Sequence, residues 1–271
     1  MKLSSAMFTS SLLAIAAIAA PLTAQRKARH NAHRVVRVNN RGSHPPYKND
    51  TNEILHSNKT EHVEYTTNWA GAVLIGTYFT SVTAEFTVPT PEVPSGGSSG
   101  KEYCVAAWVG IDGDTCTDAI LQTGVDFCVN GNSISYSAWY EWYPDYAYDF
   151  SDIAISAGNV IKVTVNASSK TSGTATVENK STGKSVAHTF NGGVWGALCG
   201  FNAEWIVEDF ERKSSLVPVA NFGTVTFSNA EATYNDSVIG PDNATLMDIK
   251  QKDKILTSSS ITPDSVIVKY V

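Results

Sequence analysis

The stretch Asn202-Ala203-Glu204-Trp205-Ile206-Val207-Glu208-Asp209-Phe210 is apolar enough for a β-strand, yet it carries three acidic side chains. With the two-residue period of a strand, Glu204, Ile206, Glu208 and Phe210 share one face, and Trp205, Val207 and Asp209 share the other. A carboxylate set among large apolar groups is costly unless it is paired or used. Working outward, β-rich runs recur at 69–75, 82–88, 103–111, 119–127, 134–143, 152–156, 160–166, 174–178, 185–190, 216–227, 245–249 and 265–271. Gly, Asn, Asp and Ser punctuate them, and no run has sustained helical periodicity. Many short strands at this spacing predict an all-β, antiparallel sandwich or barrel. The segment 89–100 is rich in Pro, Gly and Ser and reads as an exposed loop.

The chain's start reads differently. Residues 1–19 have the form of a secretory signal, with Lys2, a short apolar run and the small-residue site Ala17-Ile18-Ala19. That run is too short to span a bilayer, which takes roughly 20 apolar residues. No later run is long enough either, so a secreted, extracellular protein without a membrane anchor is expected. Six Asn-x-Ser/Thr sequons, at Asn49, Asn58, Asn166, Asn179, Asn235 and Asn243, fit that route. Residues 1–60 hold nine Lys and Arg against two acids, which leaves eleven against twenty-four in 61–271. A basic run can mark a nucleic-acid partner. Next to an acidic body in a secreted chain, it reads better as a propeptide (20–62) held by charge on its own domain (63–271), as an inhibitor loosened by acid and salt.

Elimination narrows the chemistry. After His62 the only histidine is His188, and no G-x-S-x-G motif is present. The four cysteines, Cys104, Cys116, Cys128 and Cys199, form no CxxC pair and have no histidine at zinc-ligand spacing. Two disulfides are therefore expected, with three pairings open, and no metal or other cofactor. No Asp-Thr/Ser-Gly loop exists for a paired-aspartate site, so insensitivity to pepstatin is expected. What remains is carboxylates, amides and aromatics. Alternation puts Trp139, Glu141 and Tyr143 on one face, Gln122 with Asp126, and Trp108 with Asp112. From Glu102 to Ile161 there are nine carboxylates and no Lys, Arg or His, a set that repels itself at neutral pH. On residue chemistry alone three readings stand: a peptidase, a jelly-roll glycoside hydrolase with Glu141 and Glu208 as its carboxylate pair, and a non-catalytic lectin with aromatic sugar platforms.

The segments Asn68-Trp69-Ala-Gly-Ala, Ala107-Trp108-Val-Gly-Ile-Asp-Gly-Asp-Thr-Cys116, Ala119-Ile-Leu-Gln122-Thr-Gly, Ala138-Trp-Tyr-Glu-Trp-Tyr-Pro144 and Asn202 to Phe210 resemble the fungal glutamic peptidases, or eqolisins. The resemblance runs through essentially the whole chain. It implies a jelly-roll, concanavalin A-like sandwich of two seven-stranded sheets and a monomeric acid endopeptidase acting on proteins and peptides. The family's catalytic pair falls on Gln122 and Glu208. Trp69, Trp108, Asp112, Asp126, Trp139, Glu141, Tyr143 and Phe210 match positions that line the cleft or support the pair. The implied disulfides are Cys116–Cys199 and Cys104–Cys128. One departure is the loop before Tyr103. A two-chain member of the family loses it; here it is shorter and lacks a dibasic site, so the resemblance does not carry a two-chain mature form over to this chain.

Overall fold

The computed structural model describes residues 41–48 and 63–271. The expected signal and most of the expected propeptide, with Asn49 and Asn58, lie outside the described residues.

Two large sheets enclose one apolar core. The first runs in the order Lys184–Asn191, Ser172–Asn179, Val160–Ser169, Phe79–Thr87, Thr224–Tyr234, Ser265–Tyr270, Thr257–Thr262, with Ser237–Ile239 paired to Thr224–Tyr234. The second runs Lys254–Ile255, Thr245–Gln251, Trp69–Ile75, Asn202–Glu208, Glu102–Ile111, Ile120–Asn130, Ser133–Tyr143, Tyr148–Asp149. Val63–Thr66 lies parallel to Thr245–Gln251, whereas the other strand pairs among the described residues are antiparallel. The sheets count eight and nine strands. Without the very short strands Ser237–Ile239, Tyr148–Asp149 and Lys254–Ile255, seven remain in each.

Alternation explains the first sheet. In Val160–Ser169, Ile161, Val163 and Val165 face inward while Lys162 and Thr164 face out. The second sheet is different. Asn202–Glu208 is buried along its whole length, as is nearly all of Glu102–Ile111 and Ile120–Asn130. Its inner face supplies Ala203, Trp205, Val207, Leu121, Val125 and Trp142 to the core between the sheets. Its other face carries Trp69, Trp108, Trp139, Ile206 and Phe210, together with the candidate site.

Two sequence expectations are corrected. Residues 152–156 form no strand; Ile153 and Ile155 pack against the core but the backbone pairs with nothing regular. The run 216–227 is broken: Ser215–Leu216 ends before Pro218, and a new strand starts at Thr224. The Ser-rich strand Thr257–Thr262 was not expected at all.

Both disulfides join the pairs implied by resemblance. Cys104–Cys128 ties neighbouring strands and Cys116–Cys199 closes a separation of 83 residues; on chain-entropy grounds each stabilises by roughly 3–5 kcal/mol. The sequons separate by burial. Asn179 is fully buried, and its amide donates to Ala154 O and Asn159 Oδ1. Asn235 and Asn243 are exposed at turns with positive φ. Material secreted from a eukaryotic host should carry glycan at Asn235 and Asn243 and none at Asn179. Site-mapped mass spectrometry after deglycosylation checks this, and a modified Asn179 would contradict the buried placement.

Candidate active site

The outer face of the second sheet brings the candidate residues into register. Glu204 lies opposite Gly110, Gly110 opposite Gln122, and Gln122 opposite Glu141. In the next row of the same face, Ile206, Trp108, Gly124 and Trp139 are neighbours across the strands. In the third, Glu208 lies opposite Ala106, and Ala106 opposite Asp126. Small residues at 106, 110 and 124 leave room for the large ones. A Cβ on Gly124 would meet Ala107 O at 2.3 Å and Trp108 Cβ at 2.5 Å, so glycine there is what lets Trp108 sit in the row.

Gln122 and Glu208 are both fully buried. Glu208 Oε2 accepts a hydrogen bond from Trp108 Nε1 at 2.9 Å, and Oε1 accepts from the His44 backbone amide at 3.1 Å. Trp108 is held in turn by an edge-to-face contact with Trp69, 4.9 Å between centroids. Neither polar atom of the Gln122 side chain has a hydrogen-bond partner among the described residues. An unpaired buried amide costs roughly 1–3 kcal/mol, a strain that persists where a ligand is meant to relieve it. Burial pushes Glu208 up to about 7; its bonds to Ser43 and His44 and the charge of Arg41 pull the other way, and Glu141 adds to the rise.

Residues 41–48 lie across this face. Arg41 Nη2 is 2.7 Å from Asp126 Oδ1, and its guanidinium stacks 4.0 Å from the Trp139 ring and 4.5 Å from the Phe210 ring. Burial raises Asp126 to about 6, with Arg41 opposing. The Ser43 amide donates to Glu141 Oε2 at 3.1 Å. The His44 ring packs edge-on to Tyr143, and its Nε2 is 3.1 Å from Glu211 Oε2. The segment's first two residues add a strand beside Glu211–Arg212. Thus Trp69, Trp108, Asp126, Trp139, Glu141, Tyr143, Phe210, Gln122 and Glu208 form one surface. Asp112 stands apart. Its carboxylate accepts from the backbone amides of Cys199, Gly200, Phe201 and Asn202 at 2.7–3.2 Å, fixing the turn beside the Cys116–Cys199 bridge.

Residues 67–270 match the peptidase A4 family. The chain belongs to that family. It is a glutamic-type endopeptidase. It is 58% identical to aspergillopepsin-2 of Aspergillus niger over 98% of this chain and 99% of the relative. The crystal structure of aspergilloglutamic peptidase from Aspergillus niger superposes with a TM-score of 0.62 at 66% identity, covering 62% of this chain and 99% of that one. That of scytalido-glutamic peptidase with a transition state analog inhibitor gives 0.70 at 42% identity, covering 76% and 98%.

Within this peptidase A4 chain, three residues in or beside the cleft had drawn no assignment from sequence. Asn68 Oδ1 accepts from the Tyr47 amide at 2.7 Å, and its Nδ2 reaches the carbonyls of His44 and Pro45. Asp114 meets Lys48 at 2.7 Å. Glu204 is fully buried and held well above the ordinary glutamate range, first by burial and then by the charges of Asp114 and Asp112. Its shared face with Glu208 was the available signal; its neighbours were not visible in the sequence.

Proposed function

We propose that this enzyme is a secreted acid endopeptidase, with Glu208 activating water, Gln122 holding the oxyanion, and residues 41–48 part of a propeptide that closes the cleft. The observation that carries the reading is the pairing of a buried, hydrogen-bonded Glu208 with a buried Gln122 whose amide is unspent. Amide hydrolysis needs a base for water, a donor for the oxyanion and an acid for the leaving amine. Ionised Glu208 can take the proton from water and return it to nitrogen. The Gln122 amide cannot ionise, so it remains a donor at any pH. The Trp108 indole N–H stabilises the charged form of Glu208. Removal of the 41–48 segment readmits water and relieves the burial that raises Glu208. That peptide ligands belong here is supported by the extended segment already lying in the cleft, and by the inhibitor complex of scytalido-glutamic peptidase.

In this arrangement the segment occupies the site unproductively. It gives Glu208 a backbone N–H, while Gln122 receives no carbonyl from the described residues. The direct test is hydrolysis of an acid-denatured protein at about pH 3 by the activated enzyme, beside a soluble polysaccharide. Cleavage of the polysaccharide alone would overturn the reading.

The segment's hold combines buried and half-exposed ion pairs. Burial of Asp126 and Glu208 beneath it works against simple release by acid, because both already resist ionisation. The more open pairs, Lys48 with Glu64 and His44 with Glu211, are the ones that salt weakens most. A synthetic peptide of residues 20–62 added to activated enzyme should inhibit more weakly as salt rises at about pH 5–6. Arg41→Ala should raise its inhibition constant by roughly 100-fold, since it strands Asp126. An inhibition constant indifferent to both salt and Arg41 would mean that charge does not hold the segment.

A further inference from the structure

The segment 41–48 also reports on a second place in the cleft, besides the dyad. Two of its backbone ties flank Pro45-Pro46: His44 N rests on Glu208 Oε1, and Tyr47 donates to Asn68 Oδ1 while its carbonyl accepts from the Thr67 amide at 2.9 Å. Neither tie reads a side chain. Any peptide held by the same groups would therefore deliver the side chain after the second tie to one fixed place. In this chain that side chain is Lys48. Its ammonium is 2.7 Å from Asp114 Oδ1 and 2.9 Å from Glu64 Oε2.

The receiving side is built into the fold. The Asp114 side chain is only 1% exposed, and among the described residues no partner other than Lys48 reaches its carboxylate. Glu204 lies beside it, fully buried, with no well-aligned hydrogen bond to either oxygen and only the Asp114 amide offsetting its burial. A buried carboxylate whose one cation departs with a leaving segment is left at high cost. The next peptide to lie in the cleft meets that unpaired charge.

We infer that Asp114, flanked by Glu64, is a substrate subsite for a cationic side chain, four residues toward the C-terminus from the residue whose amide rests on Glu208. The inference rests on the peptidase reading and on substrate lying in the same direction as the segment. The ligand class is an extended peptide bearing lysine or arginine at that position. Asp114 acts on binding and not on the reacting atoms, so its effect belongs in KM more than in kcat.

The experiment uses enzyme activated from the full-length chain and three quenched fluorescent peptides that differ at this one position: lysine, norleucine or glutamate. Cleavage sites are fixed by mass spectrometry. Norleucine keeps the alkyl stem and removes the charge. Wild-type enzyme should prefer lysine over norleucine by roughly tenfold in kcat/KM, and glutamate should be worst. In Asp114→Asn the lysine-to-norleucine ratio should fall to near one. Should that variant fail to fold, Glu64→Gln, at a half-exposed position, should lower the same ratio. Equal rates for lysine and norleucine in wild type, or a lysine preference that survives both substitutions, would overturn the subsite. So would a cation preference only on the other side of the scissile bond. Failure to cleave any of the three peptides would overturn the peptidase reading, and the subsite with it.

Discussion

Glu208→Gln should fold, stay uncleaved at full length, and lose hydrolysis of denatured protein by at least about 10³-fold, the upper part of the range for losing a positioned acid–base group. The substitution preserves shape and one accepting oxygen, which can keep the bond from Trp108 Nε1; the bond from the His44 amide goes to the other oxygen and leaves with the segment on activation. What it removes is the capacity to take a proton from water. Gln122→Ala acts on a different step. Removing an oxyanion donor typically costs about 2.7–4 kcal/mol, or 10²–10³ in kcat, with KM little changed. The double variant should lose little more than Glu208→Gln alone, because the two groups act on one transition state. Glu141 is the built-in control. It is as buried as Glu208 and is met by the neighbouring amide of the same segment, so burial and contact alone do not separate them. Glu141→Gln should retain most of the turnover. If instead Glu141→Gln abolished hydrolysis while Glu208→Gln kept it, the base would be Glu141.

Which residues share a face was legible in the sequence, because strand side chains alternate whatever the strand's neighbours are. That sets Gln122 beside Asp126, Trp139 beside Glu141 and Tyr143, and Glu204 beside Glu208 and Phe210. Which strands lie side by side was not legible. Asn202–Glu208 is buried on both faces, and the row that joins Glu204, Gly110, Gln122 and Glu141 comes from pairing across the sheet. The alternating Ile153 and Ile155 misled for a related reason: one-sided packing of a loop leaves the same trace as a strand. Thr257–Thr262 escaped notice because serine carries little strand signal, although Ser259 is buried there and bonds to Asp248. The basic segment's charge suggested docking, but its grip on Glu208, Glu141 and Asn68 runs largely through backbone amides, which every residue but proline carries.

The mature domain should be most stable in acid and should lose its fold as pH rises past neutrality. The groups responsible lie mostly away from the segment 41–48. Asp248 is buried near one end of the second sheet, where it accepts from the hydroxyls of Thr257 and Ser259, and burial still lifts it to about 6. Asp209 is buried beside Gln251, its one bonded oxygen accepting from Nε2 at 2.7 Å, and is held well above the aspartate range by burial and by the charges of Glu208 and Glu211. Glu204 is raised in the same direction. A carboxyl whose folded pKa is raised binds its proton more tightly in the native state. Its contribution is therefore fully present below the unfolded pKa and is lost as pH rises through the folded value. For Asp248 that window lies between about 4 and 6, and a shift of this size corresponds to roughly 3 kcal/mol. Asp209 and Glu204, raised in the same direction, extend the loss to higher pH, and the Asp248 share alone is a sizeable part of the ~5–15 kcal/mol that holds a typical domain together. Melting temperature should therefore fall steadily from about pH 4 to pH 8. Asp248→Asn keeps an oxygen for Thr257 and Ser259 but cannot ionise. It should flatten the fall between about pH 4 and 6 and melt about 5–10 °C above wild type at pH 8. A melting temperature that rose with pH over this range would contradict the argument. So would an Asp248→Asn variant that ran parallel to wild type, because the proton lost on alkaline unfolding would then come from other groups.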